Sequence, residues 1–288
     1  MTADTAPRFK TEAIGTTGEP VSFKVERGRI ASYAAATNDP TPQHASGALA
    51  PPVFSIVPAF QALGTASLSV IPHELLGAIV HGEHDFHFPR SLEPGMELVT
   101  TATPIGMRQR SSGVTVAVRG ETRDGAGALV NEQYMTSFVR GAQGAEDAGD
   151  FAPPHAFDES LREREPDAEV TQTYDSDQTF RYAEAAGDPM QIHLDEEFAK
   201  SVGLPGIIIH GLCTMAFTST GLIASICPDD PTRLRRLAAR FAGMTQPEQT
   251  ITTRYWRTGA SDRREGVAYE TTSDAGALVI KDGWAEVG

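Results

Sequence analysis

Two residue types that can exchange protons near neutral pH lie five positions apart in one short stretch of the chain. Asp188 stands between Gly187 and Pro189, and His193 follows it five residues later. A carboxylate and an imidazole held together can share a water and pass protons, because their surroundings can push the two pKa values apart. The alternative is structural: an Asp in a Gly-Asp-Pro turn often caps that turn, with the His a satisfied polar group beneath it.

A glycine further along the chain could serve the same chemistry. Gly211 follows His210 and opens an apolar run. At the start of a buried helix, a glycine lets a ligand approach the backbone, and the free N–H groups there stabilise an oxygen that gains negative charge. Close helix packing explains the glycine equally well. His210 itself most simply packs, or donates a hydrogen bond, beside the helix start.

Helices on either side must hold these residues in place. Pro189 lacks a backbone donor and restricts the residue before it, so 187–193 is predicted to be a loop. A short helix is expected over residues 178–186 before the loop, and a buried helix over residues 210–226 after it. Loops fixed by rigid elements are where catalytic residues are often placed.

The same order of elements occurs twice. Tyr, Asp-Pro and His recur at identical spacing in the two halves, as Tyr33, Asp39, Pro40, His44 and as Tyr182, Asp188, Pro189, His193. Such a repeat predicts two copies of one unit. Each copy has several strand-like segments rich in Val, Thr and Phe and one long apolar helix, over residues 52–69 (despite Pro58) and 210–226. We therefore expect an α+β fold in which each antiparallel sheet wraps around a helix.

Composition divides the chain and limits its partners. A Gly-, Ala-, Asp- and Pro-rich linker at 141–160 separates a first domain, 1–140, from a second, 161–288; the first dozen residues are expected to be a mobile leader.

The formal charge of -14 argues against nucleic acid as partner. No apolar run reaches the roughly 18 residues needed to cross a membrane, and no export signal is recognisable, so we expect a cytoplasmic protein. We see no metal-binding spacing.

The stretch from Tyr182 to Gly211 resembles the hydratase motif of the MaoC-like (R)-specific enoyl-CoA hydratases and dehydratases. Its pattern runs approximately Y-x-x-x-S/A-G-D-x-N-P-x-H-x-D, followed by a glycine-containing segment and H-G. The matching positions here are Gly187, Asp188, His193, Asp195, His210 and Gly211. The segments HGEHDF (residues 81–86), RSLEPG (90–95) and RFAGM (240–244) also look like parts of two-domain members.

The resemblance implies a double hotdog fold and a reaction. A trans-2-enoyl thioester on CoA or acyl carrier protein would enter between the halves. Asp188 and His193 would hold a water that adds hydroxyl at C3 and a proton at C2, or the reverse, while the Gly211 N–H stabilises the thioester oxyanion. Met190, Gln191 and His210 would contact substrate. No metal or other cofactor is implied, and a homodimer is plausible from the family.

The chain departs from this pattern in both halves. Met190 and Gln191 replace the family's Asn and Pro, and Met cannot hydrogen-bond as Asn does. The first half keeps Asp39 and His44 but has Ala50-Pro51-Pro52 where His-Gly would stand, so we expect it to be a degenerate wall that receives the acyl chain. The competing functions are a silent acyl-thioester-binding subunit and a repurposed dehydratase-fold enzyme of a biosynthetic pathway. A hotdog thioesterase would want a carboxylate on the central helix, and residues 212–226 contain none.

Overall fold

Alternating Val, Thr and aromatic residues form long strands in the first half of the chain. The computed structural model describes residues 7–261 and 264–288. The strands of the first half are β1 (Val21–Lys24), β2 (Ile79–His87), β3 (Glu97–Arg110), β4 (Gly113–Asp124) and β5 (Leu129–Arg140), followed by the short β6 (Ala148–Gly149). Its helices are α1 (Arg27–Ala36), α2 (Pro42–Ala45) and α3 (Phe60–Val70).

The second half repeats this order. Its strands are β7 (Ala168–Thr173), β8 (Leu234–Phe241), β9 (Thr250–Ser261), β10 (Arg264–Ser273) and β11 (Leu278–Val287), and its helices are α4 (Gln178–Ala186), α5 (Glu196–Ser201) and α6 (Gly211–Ile226). The helices predicted at 178–186 and 210–226 are confirmed to within one residue. The sequence analysis did not predict α5, which Asp195 caps by accepting a hydrogen bond from the N–H of Phe198.

All strands belong to one antiparallel sheet, in the order β1-β3-β4-β5-β2-β8-β11-β10-β9-β7, with β6 paired to β3. Each half contributes five consecutive strands of this path, and β2 and β8 join the two halves edge to edge. Helix α6 is buried on nearly every side, as expected of a helix that a sheet surrounds. The predicted α+β double hotdog is confirmed.

One predicted helix is wrong in detail. We expected a single buried helix over residues 52–69, but Pro58 divides that segment. A 3-10 helix covers Pro52–Ile56, and α3 begins only at Phe60. Proline removes a backbone donor and clashes with the preceding turn, so an α-helix cannot continue through it without a break.

The leader and the linker contact the body of the protein. Residues 1–6 lie outside the described residues. The rest of the expected mobile leader is packed: Phe9 is buried, and the N–H of Lys10 donates to the carbonyl of Val70 at 2.9 Å. In the linker, β6 pairs with β3, and Phe157 packs against Trp256. The division of the chain into domains at 141–160 remains a prediction.

A buried ion pair lies at the junction of the two halves. Arg236 of β8 donates two hydrogen bonds to the Asp85 carboxylate of β2, from Nε at 3.0 Å and from Nη2 at 2.9 Å. The Asp85 side chain is 1% exposed and that of Arg236 10%. A buried charge depends on its partner, since without it the charge is left in a low-dielectric interior.

We expect Arg236→Met to lower the free energy of unfolding by about 3–5 kcal/mol, because it leaves the buried Asp85 with only the 3.3 Å contact to His87 Nε2 in place of two guanidinium hydrogen bonds. Urea unfolding followed by circular dichroism measures this loss. The matched control is Arg254→Met, which removes an exposed pair with Glu169 and should cost no more than about 1 kcal/mol. Equal losses in the two variants would contradict the role assigned to the junction pair.

Candidate active site

The loop that carries the candidate catalytic residues begins at a glycine. Gly187 ends α4 in the left-handed conformation, with φ 77° and ψ 31°. Its N–H and that of Asp188 both donate to the carbonyl of Ala183, at 2.9 and 3.1 Å. A residue with a Cβ adopts this conformation only at a cost, so glycine is the usual helix end of this kind. The turn directs the chain away from the α4 axis at Asp188.

Backbone hydrogen bonds hold Asp188 and His193 in the same loop. The Asp188 Oδ1 accepts from the N–H of Met190 at 3.3 Å, and the Met190 carbonyl accepts from the N–H of His193 at 3.0 Å. The His193 Nδ1 lies 2.8 Å from the carbonyl oxygen of Ile208. A carbonyl can only accept, so Nδ1 carries the proton and Nε2 presents a lone pair.

His210 contacts both His193 and Asp188. Its ring stacks on that of His193, with 3.7 Å between centroids and 24° between planes. Its Nε2 lies 3.3 Å from the backbone oxygen of Asp188 and therefore donates to it, while Nδ1 is buried without a hydrogen-bond partner. At 2% exposure, His210 supports the loop and the His193 ring. Its predicted contact with substrate remains a prediction.

Gly211 is the first residue of α6, so its N–H lies at the positive end of the helix dipole. The His210 carbonyl accepts from the N–H groups of Cys213 and Thr214; among the described residues, none accepts a hydrogen bond from the N–H of Gly211. A Cβ on Gly211 would lie only 3.1 Å from Cδ1 of Phe241. Both explanations of this glycine therefore have support: it packs closely, and it leaves a backbone donor free.

Burial changes the charge state of all three titratable groups. Desolvation raises the pKa of Asp188 to about 6 and lowers the pKa of His193 to about 4. Burial, together with the neighbouring His193, lowers the pKa of His210 to about 2. At neutral pH the two imidazoles are thus neutral, and the carboxyl group of Asp188 titrates close to the working pH of a general acid or base.

The two departures from the family motif leave the loop intact. The Met190 side chain is 52% exposed, and the Gln191 side chain is exposed as well. Their backbone groups, rather than their side chains, hold the loop in shape. The Gln191 carbonyl accepts hydrogen bonds from the N–H groups of Leu194 and Asp195. The Gln191 side-chain amide, one residue after the position of the family Asn, therefore faces solvent. Contact of either side chain with substrate remains a prediction.

Asp188, His193 and His210 are also the described residues that could bind a metal ion. One ligand atom from each lies within 4.8 Å of the others. Two of the four ring nitrogens are already bonded to backbone carbonyls. This arrangement suits a water held between polar groups; the expectation of no metal remains a prediction.

The first half keeps a dyad of different geometry. The Asp39 carboxylate lies 2.7 Å from the His44 Nδ1, and both side chains are buried. Burial favours the neutral acid, but the hydrogen bonds from His44 and Thr41 hold the pKa of Asp39 below its usual value. The helical segment that follows begins at Pro51-Pro52, where neither residue has an N–H to offer an oxyanion.

Sequence reasoning missed two groups of the site. The Ile208 carbonyl fixes the His193 tautomer, but main-chain direction leaves no mark in a sequence. Phe241, which packs on Gly211, lies in the RFAGM segment that resembles the family, although nothing there signalled this contact.

The fold and the site together define a class of protein: a double hotdog in which one half places an Asp–His loop at the start of its central helix. Two family models match in tandem, "FAS1-like, dehydratase domain region" over residues 12–133 and "MaoC like domain" over residues 158–277. The 3-hydroxyacyl-thioester dehydratase Y of Mycobacterium tuberculosis is 30% identical over 215 residues, 73% of this chain and 72% of that protein. The chain belongs to the MaoC-like dehydratase family.

Two further proteins extend the comparison. The peroxisomal enoyl-CoA hydratase 2 of Arabidopsis thaliana is 27% identical over 190 residues, 63% of this chain and 60% of that protein. The crystal structure of a MaoC-like dehydratase from Phytophthora capsici superimposes with a TM-score of 0.85 over 97% of this chain and 98% of its own, at 24% identity. The chain spans 40–60% of the length of the first curated relatives that it matches.

We expect Asp188→Asn to stabilise the fold at alkaline pH. The pKa of Asp188 is higher in the folded chain than its ordinary 3.8, so stability that depends on the protonated acid is present at low pH and lost as the pH rises through about 6. Asn removes this penalty, and the free energy of unfolding should rise by about 1–3 kcal/mol at pH 8.

Urea unfolding at pH 8 and pH 5 measures this linkage, and the gain should fall by about half at pH 5. The exposed Asp229→Asn is the matched control, expected to change stability by no more than about 0.5 kcal/mol at either pH. A loss of stability in Asp188→Asn at pH 8 would contradict the assignment.

Proposed function

We propose that the chain catalyses the (R)-specific hydration of trans-2-enoyl thioesters, or the reverse dehydration of (3R)-hydroxyacyl thioesters, on CoA or an acyl carrier protein. One observation carries the proposal. A neutral imidazole with a free lone pair and a carboxyl group of near-neutral pKa belong to a loop that contacts His210, the residue directly before the free N–H at the start of α6. The names of relatives, an enoyl-CoA hydratase and a 3-hydroxyacyl-thioester dehydratase, agree with this function.

The reaction follows from the tautomer of His193 and the ionisation of Asp188. Nε2 of His193 and the Asp188 carboxylate hold a water between them and remove one of its protons. The hydroxyl adds to C3, and electrons of the double bond move toward the thioester. A proton from the pair then reaches C2, so that one water is consumed and no other reactant is needed. Dehydration runs through the same steps in reverse.

The Gly211 N–H stabilises the charge that forms during this addition. The thioester oxygen becomes an enolate, and a backbone donor at the positive end of α6 binds it most strongly in that state. The donor is already in place and water is excluded around α6, which increases its electrostatic effect. The first half has prolines at the matching place, so its dyad lacks this donor.

The silent-subunit alternative loses its main support. It rested on Met190, which cannot replace the amide of Asn, but this loop is held by the Met190 backbone. A repurposed dehydratase-fold enzyme uses the same residues and differs only in substrate. Activity measured with different substrates therefore distinguishes the hydratase, the silent subunit and the repurposed enzyme better than the geometry of the site does.

The partners of the chain follow from the same proposal. The substrate is an acyl thioester of CoA or of a carrier protein, and assembly as a homodimer remains a prediction. Among the described residues, no helix has both the length and the apolar character to span a bilayer. A cytoplasmic location remains part of the proposal.

Wild type should abolish the ultraviolet absorbance of the enoyl thioester in crotonyl-CoA. We expect Asp188→Asn and His193→Gln each to lower kcat about 10²–10⁴-fold, as expected for loss of a general acid or base. Asp39→Asn is the matched control in the first half and should keep wild-type activity if it folds. Equal rates in wild type, Asp188→Asn and His193→Gln would remove both residues from the mechanism.

The pH dependence of kcat/KM should report Asp188. Because its pKa is raised to about 6, activity that needs the carboxylate should be constant above about pH 7 and fall about tenfold per pH unit below pH 6. His193, with a pKa near 4, should add no second limb in this range. An acidic limb near pH 4 would show that Asp188 is not the titrating group.

A further inference from the structure

The ring of Phe241 packs against Gly211, the first residue of α6. A Cβ built on Gly211 would lie 3.1 Å from Cδ1, 3.2 Å from Cε1 and 3.3 Å from Cγ of Phe241. The ring therefore covers one side of the Gly211 Cα. Phe241 itself is partly buried at the end of β8, where it pairs with Ile280 of β11. Its backbone is thus fixed by the sheet.

A histidine of the first half also contacts this ring. His81 of β2 meets Phe241 edge to face, with 5.0 Å between ring centroids and 72° between planes. The Nε2 of His81 lies 3.0 Å from the Nδ1 of His84, and the His84 Nε2 lies 3.0 Å from the Gln133 Oε1. Gln133 in turn donates to the Ser55 carbonyl at 3.0 Å.

This chain of contacts makes the Phe241 ring a rigid wall. His84 and Gln133 are both fully buried. The His81 imidazole, which contacts Phe241, therefore cannot move away from the ring without breaking buried hydrogen bonds. A rigid wall discriminates between ligands by shape, whereas a mobile side chain would repack around either.

We propose that Phe241 determines substrate specificity by excluding acyl groups branched at C2. The inference rests on the proposed function, in which the thioester oxygen binds the Gly211 N–H. C2 is then two bonds from that oxygen, beside the ring that covers Gly211. An unbranched acyl chain presents only hydrogens to the ring, whereas a C2 methyl group must displace it.

Two isomeric thioesters isolate this effect. Butanoyl-CoA and 2-methylpropanoyl-CoA have the same atoms and differ only in branching at C2, and both are saturated, so neither can be hydrated. Isothermal calorimetry on the full chain measures their dissociation constants. Wild type should bind the unbranched isomer at least about tenfold more tightly, the discrimination expected for one misplaced methyl group.

Phe241→Ala should bring the two dissociation constants within about two- to threefold, chiefly by tighter binding of the branched isomer. Phe241→Leu keeps an apolar side chain and should give an intermediate ratio, which provides a second variant should Phe241→Ala fold poorly. Phe180→Ala is the matched control: Phe180 is 48% exposed on α4, and its loss should leave the wild-type ratio unchanged.

Two outcomes would overturn the proposal: a wild-type ratio near one, and a ratio that stays at the wild-type value in both Phe241 variants, as it would if both isomers were weakened equally. Failure of the hydratase proposal is distinguishable from these outcomes. A chain that discriminates between the saturated isomers as expected but does not hydrate crotonyl-CoA keeps the Phe241 assignment and loses the reaction.

Discussion

The pairing of β2 with β8 is the constraint on which the rest of the structure depends. It joins two five-stranded sheets into one surface, and the buried Asp85–Arg236 pair locks the register at that line. Because the two strands run antiparallel, the start of β2 lies beside the end of β8. That arrangement brings His81 of one half against Phe241 of the other. The junction therefore connects the first half directly to the helix start at which the site is built.

The two halves use the same residue pair in opposite electrostatic states. In the first half, hydrogen bonds to His44 and Thr41 keep Asp39 ionised, and the dyad acts as a rigid turn. In the second half, burial raises the pKa of Asp188 to about 6, and the histidine does not offset this effect because its Nδ1 is bonded to a carbonyl instead. One repeated sequence pattern thus gives a carboxyl group of lowered pKa in one copy and of raised pKa in the other. The difference lies in the partner of the imidazole, which is the carboxylate of Asp39 in the first half and the carbonyl of Ile208 in the second.

The repeat, the sheet strands and the loop at Asp188 could all be predicted, because periodicity and proline–glycine turns are local signals. The break at Pro58 was underestimated, since apolar content suggested a continuous helix. What could not be predicted depends on contacts between residues distant in sequence. The Ile208 carbonyl at His193, the stacking of His210 and the packing of Phe241 on Gly211 arise only after the sheet has closed around α6. Burial, and with it the pKa values, follows from the same closure.

Pro51 and Pro52 make the two halves differ at the start of their central helical segments, where the second half has His210 and Gly211. Since neither proline has an N–H, the first half has no backbone donor at the start of its helical segment. Under the proposed function, the second half alone would supply the oxyanion donor. Substitutions in the first half would then affect the site through packing across the β2–β8 junction, where His81 contacts Phe241.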